Sequence, residues 1–217
     1  MNQKELQKIL CLRKWVYHFL AIALYTPLTQ DNMAPFLEDN ILTAGQDDPN
    51  LRKMAQALDD FQHYTETDWQ DIKREYNRVF PESGPMPVHP WESVYRNREH
   101  VLFDEHTLAV KECMEQWHLA PTAKERIPVD HIGLECSFLA SLTEFAIHNL
   151  SQQDFPSLRK NLLAQQNFLR EHLLTWAKDF CRDFNEATND DFYQALAEFL
   201  PLWLEQDIAV LADLDIC

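Results

Sequence analysis

His131 and Glu135 stand four residues apart, one turn of an α-helix, with Asp130 directly before them. That spacing puts an imidazole and a carboxylate on one helix face, where they could offer two ligands to a metal. Two ligands do not make a site, and no His-Glu-x-x-His element supplies the rest. The remaining histidines, at 18, 63, 89, 100, 106, 118, 148 and 172, are scattered, and the six-residue step from His100 to His106 is not a helical ligand pair. A metal-dependent hydrolase on His131 and Glu135 is the enzymatic alternative. No Gly-x-Ser-x-Gly elbow offers a serine nucleophile. The five cysteines, at 11, 113, 136, 181 and 217, form no Cys-x-x-Cys pair, and their apolar helical settings point to core filling by reduced thiols. Asp130-His131 also has a simpler chemistry. A carboxylate capping a helix start, near a second at Glu135, suits a guanidinium ligand.

The backbone residues around this pair are unusual. The chain has three glycines and eleven prolines; Gly84 and Gly133, with Pro85, Pro87, Pro90 and Pro128, fall in two short stretches about thirty-five residues apart. The first stretch, Gly84 to Tyr95, is rigid and carries Trp91 and Tyr95, amphipathic rings that give contact area at low entropic cost. The second is Pro128-Val-Asp-His-Ile-Gly133. A glycine in a first helical turn costs about 1 kcal/mol against alanine, so Gly133 marks a close approach by another chain or backbone. Tyr76 and Phe80 end the preceding helix and can line the same hollow.

Composition narrows the function classes. Glycine at three in 217 residues is far below the usual ~7% and argues against hairpin-rich sheets and phosphate loops. A formal charge of −16 disfavours nucleic acid as a partner and favours basic ones. No run of eighteen apolar residues marks a membrane span, and the N-terminus has no signal-peptide pattern, so a cytoplasmic protein is expected.

The elements that must position these residues are helical. Apolar periodicity predicts helices over 3–25, 34–42 and 49–63, with Leu51 on the buried face of the third. A further helix, capped by Thr67 or Asp68, runs to Phe80. Pro81 to Pro90 cannot be regular helix. Helix resumes near Asp104, a loop spans 119–129, and a helix capped by Asp130 runs to Leu150, burying Leu134, Phe138, Leu142 and Phe145. A long helical region over 156–185 is broken near 171–173, and the last helix covers 190–212 with Pro201 bending it. The expectation is one all-α domain, 1–217, of eight to ten helices.

Taken together, Tyr76-Asn-Arg-Val-Phe80, Pro90-Trp91-Glu-Ser-Val-Tyr95, Arg98-Glu99-x-Val-Leu-Phe103 and Pro128-x-Asp130-His131-Ile-Gly133 resemble the TorD/DmsD/NarJ family of redox-enzyme maturation chaperones. The resemblance follows the chain in order and length and is strongest from 72 to 145. It implies a non-enzymatic, all-helical protein without a cofactor of its own. Such a protein binds a molybdoenzyme precursor, often by its twin-arginine leader peptide, and holds it for molybdopterin insertion before Tat export. Tat or cofactor-insertion machinery would be further partners, and a NarJ-type chaperone for a non-exported subunit is the alternative. Carried over, the leader-binding residues are Tyr76, Val79, Phe80, Pro90, Trp91, Ser93, Tyr95, Asp130 and His131. Glu92 departs from the glycine that many relatives carry, Tyr76 from a tryptophan, and Gly133 lets the visitor come close. An Asp130 that caps its own helix has one oxygen left for a ligand, and a helix N-terminus repels cations, so Glu99 or Asp104 is expected to join the arginine site. Relatives exchange helices, which leaves monomer and domain-swapped dimer both open, with 119–129 as the hinge.

Overall fold

The computed structural model describes residues 2–38, 49–97, 99, 102–120 and 128–214. Among them are ten α-helices and no strand: α1 (Gln3–Tyr25), α2 (Gln30–Glu38), α3 (Pro49–Asp60), α4 (Glu66–Val79), α5 (Glu92–Arg96), α6 (Glu105–Gln116), α7 (Ile132–Ser151), α8 (Phe155–Phe168), α9 (Leu174–Ala187) and α10 (Asp191–Asp213). The all-α expectation holds.

Local chemistry sets most of the boundaries. Asn2 and Glu5 form a reciprocal capping box that starts α1. Helix α4 starts two residues earlier than expected. Thr65 is its cap and Asp68 returns the bond to the Thr65 N–H, so Asp68 is the third helical residue and not the cap. Helix α2 begins at Gln30, ahead of the expected 34, because Thr29 and Asn32 exchange backbone–side-chain bonds. The expected continuation of that helix over 39–42 and most of the proposed hinge, 121–127, lie outside the described residues. Five-residue α5 was not anticipated, since its Pro-rich approach reads as loop. The break expected near 171–173 is a π-helical turn, Leu169–Leu173, in an otherwise continuous run from α8 to α9. A wide turn of this kind re-aims side chains, and it carries His172 into the interior at 3% exposure.

Helix α1 packs along α7 as the broadest interface of the bundle, α10 lies against α9, α3 and α8, and α5 sits between α6 and α9. Gly133 makes the first of these contacts possible. A Cβ there would stand 2.7 Å from the Tyr25 Cβ and 3.2 Å from the Ala21 carbonyl oxygen. The close approach read from sequence is that of the α1 backbone. Two core expectations fail. Phe145 on α7 is 38% exposed, and Leu134 is only half-buried. The uniform core-filling role for cysteine fails as well: Cys136 and Cys181 are buried, but Cys113 is partly exposed and Cys11 is exposed.

Candidate functional site

The two unusual stretches meet. Trp91 and His131 form an antiparallel bridge, in which Glu92 N–H donates to the Asp130 carbonyl (3.0 Å) and Ile132 N–H donates to the Pro90 carbonyl (2.9 Å). Prolines at 81, 85, 87 and 90 and the left-handed turn at Gly84 (φ +95°) bring the chain from the end of α4 to this bridge without help from helical bonding. The bridge fixes where α5 and α7 begin relative to each other.

Asp130 does not cap its own helix. Its Oδ2 accepts from the Ser93 N–H at 2.9 Å and so caps α5 from across the bridge. His131 takes over the cap of α7. Its Nδ1 accepts from the Gly133 N–H at 3.1 Å, while its ring meets Trp91 and Tyr25 edge-on at 5.7 and 5.1 Å. A ring nitrogen that must accept has to be neutral. Burial agrees, holding the His131 pKa down to about 3. The i, i+4 pair of His131 and Glu135 therefore has one imidazole nitrogen already engaged, and among the described residues no three His, Cys, Asp or Glu side chains are grouped to hold a metal.

Beneath the bridge lies a cluster of acids. Glu92 is fully buried; its carboxylate pairs with Arg96 one turn on and accepts from His172 Nδ1 at 2.9 Å. Burial alone would lower the His172 pKa, but hydrogen bonds to Cys113 and Glu92 raise it to about 9. Glu135, also fully buried, has neither oxygen in a well-formed hydrogen bond among the described residues, and Glu92 and the Trp176 indole act on it as weaker polar neighbours. Burial first, then the charges of Glu92 and Asp130, push its pKa well above the carboxylate range. Asp130 Oδ1, the Ser93 hydroxyl and the indole N–H groups of Trp91 and Trp176 are likewise buried without partners. Such groups are uncommon in folded proteins, and each asks for a reason.

An aromatic wall stands beside the acids. Phe80 lies 5.2 Å from Tyr76 and 5.4 Å from Phe184, and Tyr95 lies 5.6 Å from Trp176 and 6.3 Å from Phe180. Tyr76, Val79, Phe80 and Pro90 are buried, whereas Trp91 and Tyr95 keep part of their rings exposed. An open cavity of about 450 Å³ adjoins Tyr95, lined by Pro87, His89, Val94, Asp179, Arg182 and Asp183. Of the acids expected to help, Asp104 caps α6 and accepts from Asn97 (2.9 Å), while Glu99 is exposed. Sequence reasoning missed His172, Trp176, Asp179 and Asp183. Nothing local marks them, because their partners lie far along the chain; His172 and Glu92 are 80 positions apart.

Comparison with known proteins places this geometry. The family model described as nitrate reductase delta subunit matches residues 44–182. A Haemophilus influenzae protein named "Probable Tat proofreading chaperone DmsD" is 36% identical over 128 residues, 59% of this chain and 56% of its own length. A chaperone protein TorD of Aliivibrio salmonicida is 26% identical over 142 residues, 65% of each chain. The match thus spans less than two thirds of either relative. The crystal structure of an Archaeoglobus fulgidus protein described as a redox enzyme maturation protein shares the fold, with a TM-score of 0.56 at 19% identity over 89% of this chain and 94% of that one. The family match covers most of the chain and includes both halves of the bridge, and the chain belongs to the nitrate reductase delta subunit family, the NarJ/TorD family of helical proteins.

Proposed function

We propose that this chain is a redox-enzyme maturation chaperone, not an enzyme, that binds a molybdoenzyme precursor through its twin-arginine leader. It holds the precursor in the cytoplasm while the molybdopterin cofactor, cargo of the client, is inserted, and then releases it for Tat export. The observation that carries the leader reading is the bridge itself. One place joins partly exposed Trp91 and Tyr95 to two buried acids with spare acceptor capacity among the described residues, Oδ1 of Asp130 and both oxygens of Glu135. The family relatives named as Tat proofreading chaperones and the net charge of −16 support it. Among the described residues no helix is long and apolar enough to cross a membrane.

In this reading the apolar part of the leader lies on Trp91 and Tyr95, backed from beneath by Tyr76, Val79, Phe80 and Pro90. The Asp179 and Asp183 rim attracts the arginines. Asp130 and Glu135 receive a guanidinium when the 81–91 segment lifts, with His131 and Ser93 holding the two segments in register until then. Glu92 acts through its ties to His172 and Arg96, which set how readily α5 moves. Gly133 acts by keeping α1 close to this end of α7.

Titration of a fluorescent twin-arginine leader tests this. Micromolar or tighter binding, about −8 kcal/mol, is expected. Trp91→Ala and Asp130→Ala should each weaken it about tenfold, and added salt should weaken it further. Wild-type affinity in both variants sinks the site. The match to the nitrate reductase delta subunit model favours a second reading, a chaperone for a subunit that stays in the cytoplasm. Pull-down with mass spectrometry separates the two: a leader-bearing precursor supports the first, a leaderless catalytic subunit the second.

A further inference from the structure

Cys113, His172 and Glu92 come from three different elements and line up. Cys113 is on α6, His172 on the π turn and Glu92 at the start of α5. The Cys113 sulfur stands 3.8 Å from His172 Nε2, and His172 Nδ1 stands 2.9 Å from Glu92 Oε2. The second Glu92 oxygen is held by Arg96, whose guanidinium also donates to the Glu171 carbonyl at 2.7 Å, so the carboxylate has little freedom to turn away. This is the order of an activated nucleophile: a thiol, a ring that can hold its proton, and a carboxylate that fixes the ring. The ring and the carboxylate are buried, at 3% and 0% exposure, while the sulfur-bearing residue is partly exposed. The residue that carries the reacting atom is thus the least covered of the three. A cysteine that merely fills a core is buried as a whole, as Cys136 and Cys181 are.

We propose that Cys113 is a modification site, a nucleophilic thiol activated by the His172–Glu92 pair and oxidised by peroxide to the sulfenic acid. In the reactive form the thiol proton sits on His172 Nε2, and the imidazolium donates from Nδ1 to Glu92. The sulfur attacks one peroxide oxygen. An S–O bond forms, the O–O bond breaks, and the departing hydroxide takes the proton from Nε2 and leaves as water. Sulfur is oxidised by two electrons and the peroxide is reduced by two. The product oxygen then stands over the pair that ties α5 to the π turn. This assignment rests on the three side chains alone and is independent of what the bridge binds.

Cys11 provides an internal reference, because it is the more exposed thiol of the two. Reduced full-length protein is pulsed with iodoacetamide at several pH values and each cysteine is followed by peptide mass spectrometry. At pH 6 Cys113 is expected to label about tenfold faster than Cys11, although it is the less exposed of the two. His172→Gln should bring Cys113 down to the Cys11 rate or below. After hydrogen peroxide, dimedone should mark Cys113 and leave Cys11 largely free. If Cys113 labels no faster than Cys11, the activation is wrong, and this comparison needs no variant to fold. If Cys113 alkylates fast but never carries dimedone, the oxidation is wrong.

Discussion

Two polar clusters are sealed inside this bundle, and they handle their hydrogen bonds differently. In one, Arg13 of α1 donates to both oxygens of Asp207 on α10 at 2.5 and 3.0 Å and to Gln165 of α8 at 2.6 Å. The Tyr17 hydroxyl donates to Asp207 at 2.6 Å, Thr143 of α7 donates to Gln165 at 3.1 Å, and Gln165 donates on to Asn161 at 2.5 Å. Only the Asn161 amide nitrogen in that set is left over. In the other, three buried carboxylates, Glu92, Asp130 and Glu135, face one imidazolium and one arginine, and five polar side chains around them retain unpartnered atoms. The first cluster clamps four helices. The second leaves polar capacity unused at the place where two Pro-rich segments are joined by a single bridge. A fold that closes one network almost completely has the means to close the other, and on the function proposed above the open one is kept for a ligand.

The sharpest contrast comes from breaking the closed network. Arg13→Ala leaves Asp207 charged and buried with only Tyr17 to help, which should cost about 3–5 kcal/mol in a denaturant titration. A loss under 1 kcal/mol would mean that water reaches this cluster and that the two regions are alike.

At the bridge the effect expected next in size depends on pH. His131 titrates near 3 in the fold and near 6.5 when unfolded. The unfolded chain binds the proton first, so this group's contribution is present above pH 6.5 and is lost as pH falls towards 3. His131→Asn keeps a side-chain cap and removes the titration. From pH 6.5 to 5 the wild type should lose about 2 kcal/mol relative to that variant. Differences between the two proteins must be used, because Glu135 runs the other way over the same range. A flat difference would show His131 to be open to solvent.

Gly133→Ala probes the seat on which the bridge rests. The new Cβ would meet a backbone and a Cβ of α1, with no flexible side chain to move aside. Overpacking of this kind costs about 1–3 kcal/mol, offset by up to about 1 kcal/mol of better helix propensity. A net loss of about 1–2 kcal/mol on thermal or chemical unfolding is expected. A gain in stability would mean that α1 can shift freely.

How far these regions could be read from sequence follows the same division. Helical periodicity located α1, α4, α7 and α10 to within a few residues, since each buries a regular apolar stripe. Gly133 was legible as a close approach because a glycine in a first turn has no local justification. Asp130 was misassigned because the rule that Asp caps a helix is right about the residue and silent about which helix; it caps α5, 37 positions away from Ser93. Helix α5 itself is too short to show a period. The His172–Glu92 pair had no sequence signal at all, as a π turn aims one and a bridge aims the other.

The smallest effect is the most discriminating. Glu135 is fully buried, and its pKa is raised first by burial and then by Glu92 and Asp130. The fold keeps the proton where the unfolded chain gives it up, so above pH 4.5 ionisation of the unfolded state draws stability away as pH rises. Glu135→Gln removes that loss. At pH 7 the variant should be more stable than wild type by about 1 kcal/mol, less than the titration alone would give because the amide also lacks ready partners. At pH 4, where that loss has gone, only the cost of the amide remains and the wild type should be the more stable of the two. If the open cluster exists to receive a guanidinium, the same substitution should weaken leader binding while it stabilises the free protein. That opposition separates a functional vacancy from a structural pair: a structural Glu135 would lose stability on substitution, as Arg13→Ala does, and leave binding unmoved. Stability up with affinity down would establish that this region gives up packing in order to hold a visitor.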